Sequence, residues 1–425
     1  MINLLISLLF LYLPFQIALN PREGIDLASV RVIIPLIFLI WLISGLKNKR
    51  ISISGSIVTF LILSFLFLSI FSLATAGNID WGMRKILFFL SIFPLYFIVS
   101  GRKIASVRIF KFLAWGAFLS ASVGIVQFFL QFFLGISQTM ALWGKIIVPF
   151  LGDSFSEAVI ENSSWLVNAG GITLFRAVSF FPDPHMFSFY LGMSAFPVLA
   201  LYFANAKHRH IYLILFFVIL FADLLTFSRG GYLGMSAGLI VFIAIISAKG
   251  VFLKKIIANK YLLSSIFSAV FIFLAIPNPI AERLYSSFDL SEGSNSQRLT
   301  IWKNSWDMIK KNPLTGVGLG NYSLELKPSA DYREPIYSHN AYMDIAAETG
   351  LVNASVFLLI LFLSIYNSIK IFNRDNNFIY LGIASSITVF SFHSVFETAI
   401  FSVHVLPLFA LFAGMANAQN NERRN

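Results

Sequence analysis

AERLYSSFDLSEGSNSQRLTIWKNSWDMIKKNPLTGVGLGNY, residues 281–322, and YSHNAYMDIAAETG, residues 337–350, are the two ends of a polar, aromatic and glycine-rich island in a chain otherwise dominated by Phe, Ile and Leu. Apolar runs at 261–277 and 351–372 flank it, each long enough to cross a bilayer. The island holds Arg283, Arg298, Arg333 and His339 among Trp302, Trp306 and Tyr322. An active site, if the chain has one, belongs here.

Outward from the island the composition decides the class. With 57% hydrophobic, 16% aromatic and 12% charged residues and a mean hydropathy of +0.79, the 425 residues lie far outside the soluble globular range. The expectation is an all-α, polytopic integral membrane protein. Its net charge of +11 then reads as anchoring charge on the cytoplasmic side, and nucleic acid is not an expected partner. The absence of cysteine excludes disulfides, thiol catalysis and thiolate metal sites.

Twelve apolar runs occur, at 2–19, 28–46, 55–76, 86–100, 110–135, 182–205, 211–227, 231–247, 261–277, 351–372, 377–394 and 399–418. The first lacks the basic flank and small-residue cleavage site of a signal peptide and reads as a span. Connections after even-numbered spans, with the tail, carry seventeen Lys and Arg, whereas the short odd-numbered connections carry five: Arg22, Arg31, Arg84, Lys85 and Arg229. The positive-inside rule therefore puts both termini in the cytoplasm and two long loops, 136–181 and 278–350, outside. Residues 1–425 form a single membrane domain on this reading. In the first loop MALWGKIIVPFLG, with Trp143 and Lys145, suits a short helix lying in the interface.

Few residues carry chemistry. Arg229, in TFSRGGYLG, stands at an outward junction between two spans, where a guanidinium needs a partner; Asp223, six residues earlier, is a candidate for one. Arg176 opens RAVSFFPDPHMFSFYLGM, whose PDP precedes His185 at a helix start. Arg298 leads QRLTIWKNSWDMIKKNP, where Leu299, Trp302, Trp306 and Ile309 recur at helical spacing and predict one apolar face. The glycines at 316, 318 and 320 make only a weak nucleotide fingerprint, since no strand precedes them. SHNAYMDIAAETG predicts a helix capped by Ser338 with His339 in its first turn, where free amides bind anions and favour a neutral imidazole. His393 and Glu397 stand four apart, with His404 beyond, but no third metal ligand is evident.

TFSRGG at a helix junction, the run from Arg298 through Trp302 and Pro313 to GVGLGNY, and SHNAY followed by ETG together resemble the O-antigen ligase and polymerase family of bacterial envelope glycosyltransferases. The resemblance covers roughly residues 176–355. It implies transfer of a glycan from an undecaprenyl diphosphate carrier to an acceptor hydroxyl in the bacterial inner membrane, on the periplasmic face, without metal or cofactor. It implies Arg229, Arg298 and His339 as catalytic residues, and Arg176, Trp302, Tyr322 and Asn340 as substrate-binding candidates. The acceptor would be lipid A core in a ligase, a second lipid-linked glycan in a polymerase, or a protein hydroxyl in related oligosaccharyltransferases. No soluble domain beyond the loops is visible, which weighs against the last.

Elementary chemistry agrees. A diphosphate leaves as a stable anion, so cations suffice and no general acid is needed, while the acceptor hydroxyl needs a base such as histidine. Asp344 and Glu348, on the same predicted helix, are the alternative base or nucleophile. A twelve-span secondary transporter is the competing class. It calls for midplane charges and related halves, neither of which the sequence displays.

Overall fold

A computed structural model describes residues 1–22, 25–49, 51–101, 106–161, 164–169, 171–204, 207, 209–249, 278–286, 293–332 and 335–418. The chain begins with α1 (Ile2–Tyr12), a hairpin of β1 (Ala18–Arg22) and β2 (Ile25–Ala28), then α2 (Val30–Lys47), α3 (Ile57–Phe71), α4 (Ile79–Ile92), α5 (Pro94–Ser100) and α6 (Ser106–Leu134). Short helices α7 (Ile136–Ile146), α8 (Val148–Leu151) and α9 (Asp153–Glu161) lead to a second hairpin, β3 (Leu166–Ala169) and β4 (Ile172–Phe175). Next come α10 (Pro184–Ala204), α11 (Arg209–Leu224), α12 (Arg229–Ala248), α13 (Pro279–Tyr285), α14 (Gly293–Lys311) and α15 (Tyr322–Leu326). The last four helices are α16 (Ala341–Thr349), α17 (Leu351–Asp375), α18 (Phe378–His393) and α19 (Val405–Ala416).

The helical membrane class holds. Among the described residues seven helices are long and apolar enough to cross a membrane, α4 and α5 counting as one across Pro94. The runs at 2–19, 211–227, 377–394 and 399–418 form shorter helices, and the expected ninth span, 261–277, lies outside the described residues, as does Arg333. The two antiparallel hairpins add strand that the helical reading did not contain; each is four or five residues long, too short for alternation to stand out.

α18 is the centre of the bundle and packs against α10, α12 and α17. Membrane helices gain no hydrophobic drive from one another, so close approach through small residues holds them. At Gly382 on α18 a Cβ would come within 2.9 Å of the Phe196 carbonyl oxygen on α10. The first long loop folds down over the β1–β2 hairpin: Gln16 donates to the Phe150 carbonyl at 2.8 Å and Asp26 accepts the Phe155 amide at 2.7 Å. Trp143 is buried there, with its indole N–H on the Ser179 carbonyl at 2.6 Å.

The glycines of GVGLGNY have a structural use. Gly316, Gly318 and Gly320 all have φ between 67° and 94°, and a Cβ at each would strike backbone of Glu348, Ala76 and Trp81 in turn. The turn thereby joins the end of α16 to the start of α4, with amides of Val317 and Gly318 on the carbonyls of Ala347 and Glu348 at 2.9 and 3.0 Å. Only glycine tolerates both the backbone and the contact.

Candidate functional site

Three helices start at the wall of one large cavity, and each start is capped. Asp183 accepts the amides of His185 and Met186 at 2.8 and 2.9 Å at the head of α10. Ser228 accepts the Gly231 amide at 3.2 Å at the head of α12, and Asn340 accepts the amides of Tyr342 and Met343 at 3.0 and 3.1 Å at the head of α16. The cavity is about 1210 Å³, and His185, Arg229 and His339 stand on its lining where those helices begin. Helix N-termini favour negative charge. The lining adds Arg176, Arg283 and Arg298 to Arg229, and Arg31, Arg84 and Lys85 from the other side of the chain. Among the described lining residues these seven cations stand against three carboxylates, Asp26, Asp183 and Glu397.

His339 does not sit in the first turn, and Ser338 is not the cap. Asn340 takes that role, and His339 precedes the helix with φ of 53°, in the left-handed region. That turn aims the imidazole at Glu397, whose two oxygens lie 3.0 and 3.1 Å from Nδ1. The expected helix-end effect on its proton is overridden. The Glu397 carboxylate draws the His339 pKa above the ordinary value, against burial, which would lower it. Burial alone would raise Glu397, but the charge and hydrogen bond of His339, with His185 and Arg298, hold it below the usual carboxylate range. The histidine side chain is 42% exposed and the glutamate 10%, so the imidazole is open to the cavity on one side and backed on the other by a desolvated carboxylate.

Several bonds hold the two loops that carry this pair. Asp344 accepts the Ser338 amide at 2.8 Å and the Thr398 hydroxyl. The Ala341 amide donates to the Ser394 carbonyl at 2.9 Å, and the Trp302 indole to the Ser338 carbonyl at 3.0 Å. Asp344 is 1% exposed, and burial raises its carboxyl to about 6. Glu348 is 2% exposed and ion-paired with Lys85 at 2.8 Å. Neither carboxylate lines the cavity; both are held by structural partners.

Arg176, Arg229, Arg283 and Arg298 line the same cavity. Arg176 is 3% exposed, with Nε on the Thr226 carbonyl at 2.6 Å, one terminal nitrogen on the Ser164 carbonyl at 3.0 Å and the other buried without a partner. Burial and the neighbouring Arg283 lower its pKa to about 9, so it stays charged at neutral pH. Arg229, the first residue of α12, donates to the Ser286 carbonyl at 3.0 Å. Asp223 is not its partner: that carboxylate is buried on α11 and takes the Ser188 hydroxyl. Arg298 lies half-buried on α14, within electrostatic reach of both His339 and Glu397.

Other expectations need correction. The inward face of α14 is Ser305, Met308 and Ile309 with Trp302, whereas Leu299 and Trp306 are about half exposed, at 48% and 49%. Tyr322 is 1% exposed, with its hydroxyl on Ser305 at 2.6 Å, and lies outside the cavity lining. Asn340 is occupied as a cap. His393 ends α18 and stacks on Phe189 at 3.6 Å with Nε2 3.3 Å from Ser228, so the helical spacing to Glu397 is not kept. Among the described residues no group of three His, Cys, Asp or Glu is placed to hold a metal.

Glu397, weighed in the sequence only as a metal ligand beside His393, and Arg283, Arg31, Arg84 and Lys85, given no role there, are among the residues that line the cavity. The last three had a signal: basic residues on the side where the charge bias makes them scarce.

Fold and site together define a multi-pass membrane protein with a cationic cleft and a histidine–carboxylate pair at the heads of three helices. Residues 212–358 match the family model described as O-Antigen ligase. The resemblance read from the sequence is thereby shown over a stretch that contains Arg229, Arg298 and His339 but neither Arg176 nor Glu397. The ComP-specific O-oligosaccharyltransferase of Acinetobacter baylyi is 24% identical over 354 residues, covering 73% of this chain and 61% of that protein. Proteins named "Putative polysaccharide ligase" from Rickettsia conorii and Rickettsia typhi are 25% and 26% identical, over 40% and 43% of this chain and 43% and 46% of their own lengths. The chain thus spans less than two thirds of the length of these relatives.

Proposed function

We propose that the protein is a membrane glycosyltransferase of the O-antigen ligase type, which transfers a glycan from undecaprenyl diphosphate to an acceptor hydroxyl at the periplasmic face of the bacterial inner membrane. The observation that carries this reading is the co-location of the His339–Glu397 pair with Arg176, Arg229, Arg283 and Arg298 on one cavity. His339 accepts the acceptor proton on Nε2 while the acceptor oxygen bonds to the anomeric carbon. The bond from that carbon to the diphosphate oxygen breaks, and its electron pair leaves with the diphosphate. Glu397 fixes the proton on Nδ1 and stabilises the imidazolium that forms. The arginines, with the helix heads, offset the charge of the leaving diphosphate in a site of low dielectric. A single displacement of this kind inverts the anomeric centre.

The ligase and polymerase readings share this chemistry and differ in the acceptor, lipid A core or a second lipid-linked glycan. A protein acceptor enters as a third reading because the Acinetobacter relative is by name an oligosaccharyltransferase specific for ComP. Transfer by purified protein, with lipid-linked donor and each acceptor offered separately in the presence of chelator, tests all three. Retained anomeric configuration, or near-normal turnover by His339→Ala, would rule out the proposed mechanism.

A further inference from the structure

Arg31 and Arg84 are not used by the chemistry above. Arg31 is the second residue of α2 and is half-buried, with Nε on the Ser91 hydroxyl at 3.4 Å and its guanidinium 5.4 Å from the Phe88 ring. Arg84 reaches across from α4 to lie 4.5 Å over the ring of Tyr332, which meets Trp81 edge-on at 5.3 Å. Both arginines, Trp81 and Tyr332 line the large cavity. Among the described residues neither arginine is ion-paired. Their neighbour Lys85 is, to Glu348, so its charge is already satisfied. The nearby carboxylate Asp26 is tied to the Phe155 amide. Arg31 is half-buried and Arg84 is exposed where it lies over Tyr332, so two guanidiniums without an ion-pair partner, on the side where the charge bias makes them scarce, are open to an anion that enters the cavity.

We propose that Arg31 and Arg84, with Trp81 and Tyr332, form a separate arm of the cavity that binds the acceptor glycan through an anionic substituent, a phosphate or carboxylate on its sugars. Planar guanidiniums recognise both oxyanions in bidentate fashion, and the indole and phenol rings suit the apolar C–H face of a pyranose. This rests on the transferase reading: Arg176, Arg229, Arg283 and Arg298 take the donor diphosphate, and the Arg31 side takes the acceptor.

The test uses full-length protein in nanodiscs and one synthetic trisaccharide in three forms: neutral, phosphorylated, and carrying a uronate. Binding is read from Trp fluorescence and transfer from product. Wild type should bind the charged forms at least about tenfold more tightly than the neutral one, with the difference in acceptor KM rather than kcat. Arg31→Gln/Arg84→Gln should erase that preference and leave donor KM and turnover of the neutral form unchanged, while Arg31→Lys/Arg84→Lys should restore part of it. Preference for only one charged form still supports the arm and names the anion. Equal binding of all three forms by wild type, a preference that survives the double Gln variant, or displacement by phosphatidylglycerol discs but not by either charged glycan would overturn it. Charge-dependent binding with no transfer by wild type would keep the arm and reject the transferase reading.

Discussion

Replacing Glu397 with Gln keeps the size of the side chain and an oxygen that accepts the His339 Nδ1 proton, but removes the charge. The contact is a charge-assisted hydrogen bond at 3.0 Å, of a class that contributes about 1.5–3 kcal/mol. The histidine is 42% exposed, so solvent screening places its share near or below the lower end, about 1.5 kcal/mol. At about 1.4 kcal/mol per decade, kcat should fall roughly tenfold. The pH dependence is the sharper readout. A base acts when neutral, so the rate falls as pH drops through the His339 pKa, and in the wild type that fall begins above the ordinary histidine range because Glu397 raises the pKa. In Glu397→Gln the acid limb should move to lower pH, so the relative loss is smaller at pH about 6 than at about 8. Glu397→Ala, which also frees the ring to rotate, should cost a further factor of roughly ten. Because the two residues act as one unit, the double variant with His339→Ala should be no slower than His339→Ala alone. In vitro transfer across a pH series measures all of this; an acid limb that stays in place with kcat within about twofold of wild type would refute the pairing as a functional one.

His339→Ala itself should lose at least on the order of a hundredfold in rate while still binding lipid-linked donor, measured by turnover and by donor binding in the same preparation. Arg298→Lys should lower transfer despite keeping the charge, since an ammonium does not reproduce a planar fork; full activity at normal protein levels would reduce its role to charge balance. Single cysteines placed in this cysteine-free chain at positions 300 and 207 should label from outside and from the cytoplasm respectively, and labelling of position 300 from the cytoplasm would overturn both orientation and mechanism.

How far the sequence reaches depends on the range of the interaction that writes the signal. Long spans are legible because eighteen or more apolar residues in a row have one physical explanation in water. Arg176 and Arg229 stood out as guanidiniums at span junctions, and Arg298 and His339 through the family resemblance and their places at loop-helix starts; the structure lines one cavity with all four. The errors are of two kinds. Ser338 and Asn340 are both good cap residues, and only the left-handed turn at His339 decides between them. On α14 the four chosen apolar residues share a helical face, but the face that turns inward is set by what lies opposite, so Ser305 at 0% exposure is inside while Trp306 is outside. Glu397 was visible as a residue, yet its partner lies 58 positions away, and no local pattern records a contact at that separation.

The three carboxylates near the histidine show why proximity in sequence misleads about chemical role. Asp344 and Glu348 sit on the helix that follows His339, and each is almost fully buried. A buried carboxylate must be satisfied or neutralised, and these two are satisfied by fixed groups: the Ser338 amide and Thr398 hydroxyl for one, Lys85 for the other. Those bonds join the His339 loop to the Glu397 loop, and α16 to α4. A nucleophile recruited from either would have to break a bond on which the geometry of the base depends, whereas Glu397 is satisfied by the base itself and by its own loop amide at Thr398. In the proposed reaction its charge is therefore available to the imidazolium as the proton arrives, and the proposed partition of roles follows from which acid is bound to scaffold and which is bound to His339.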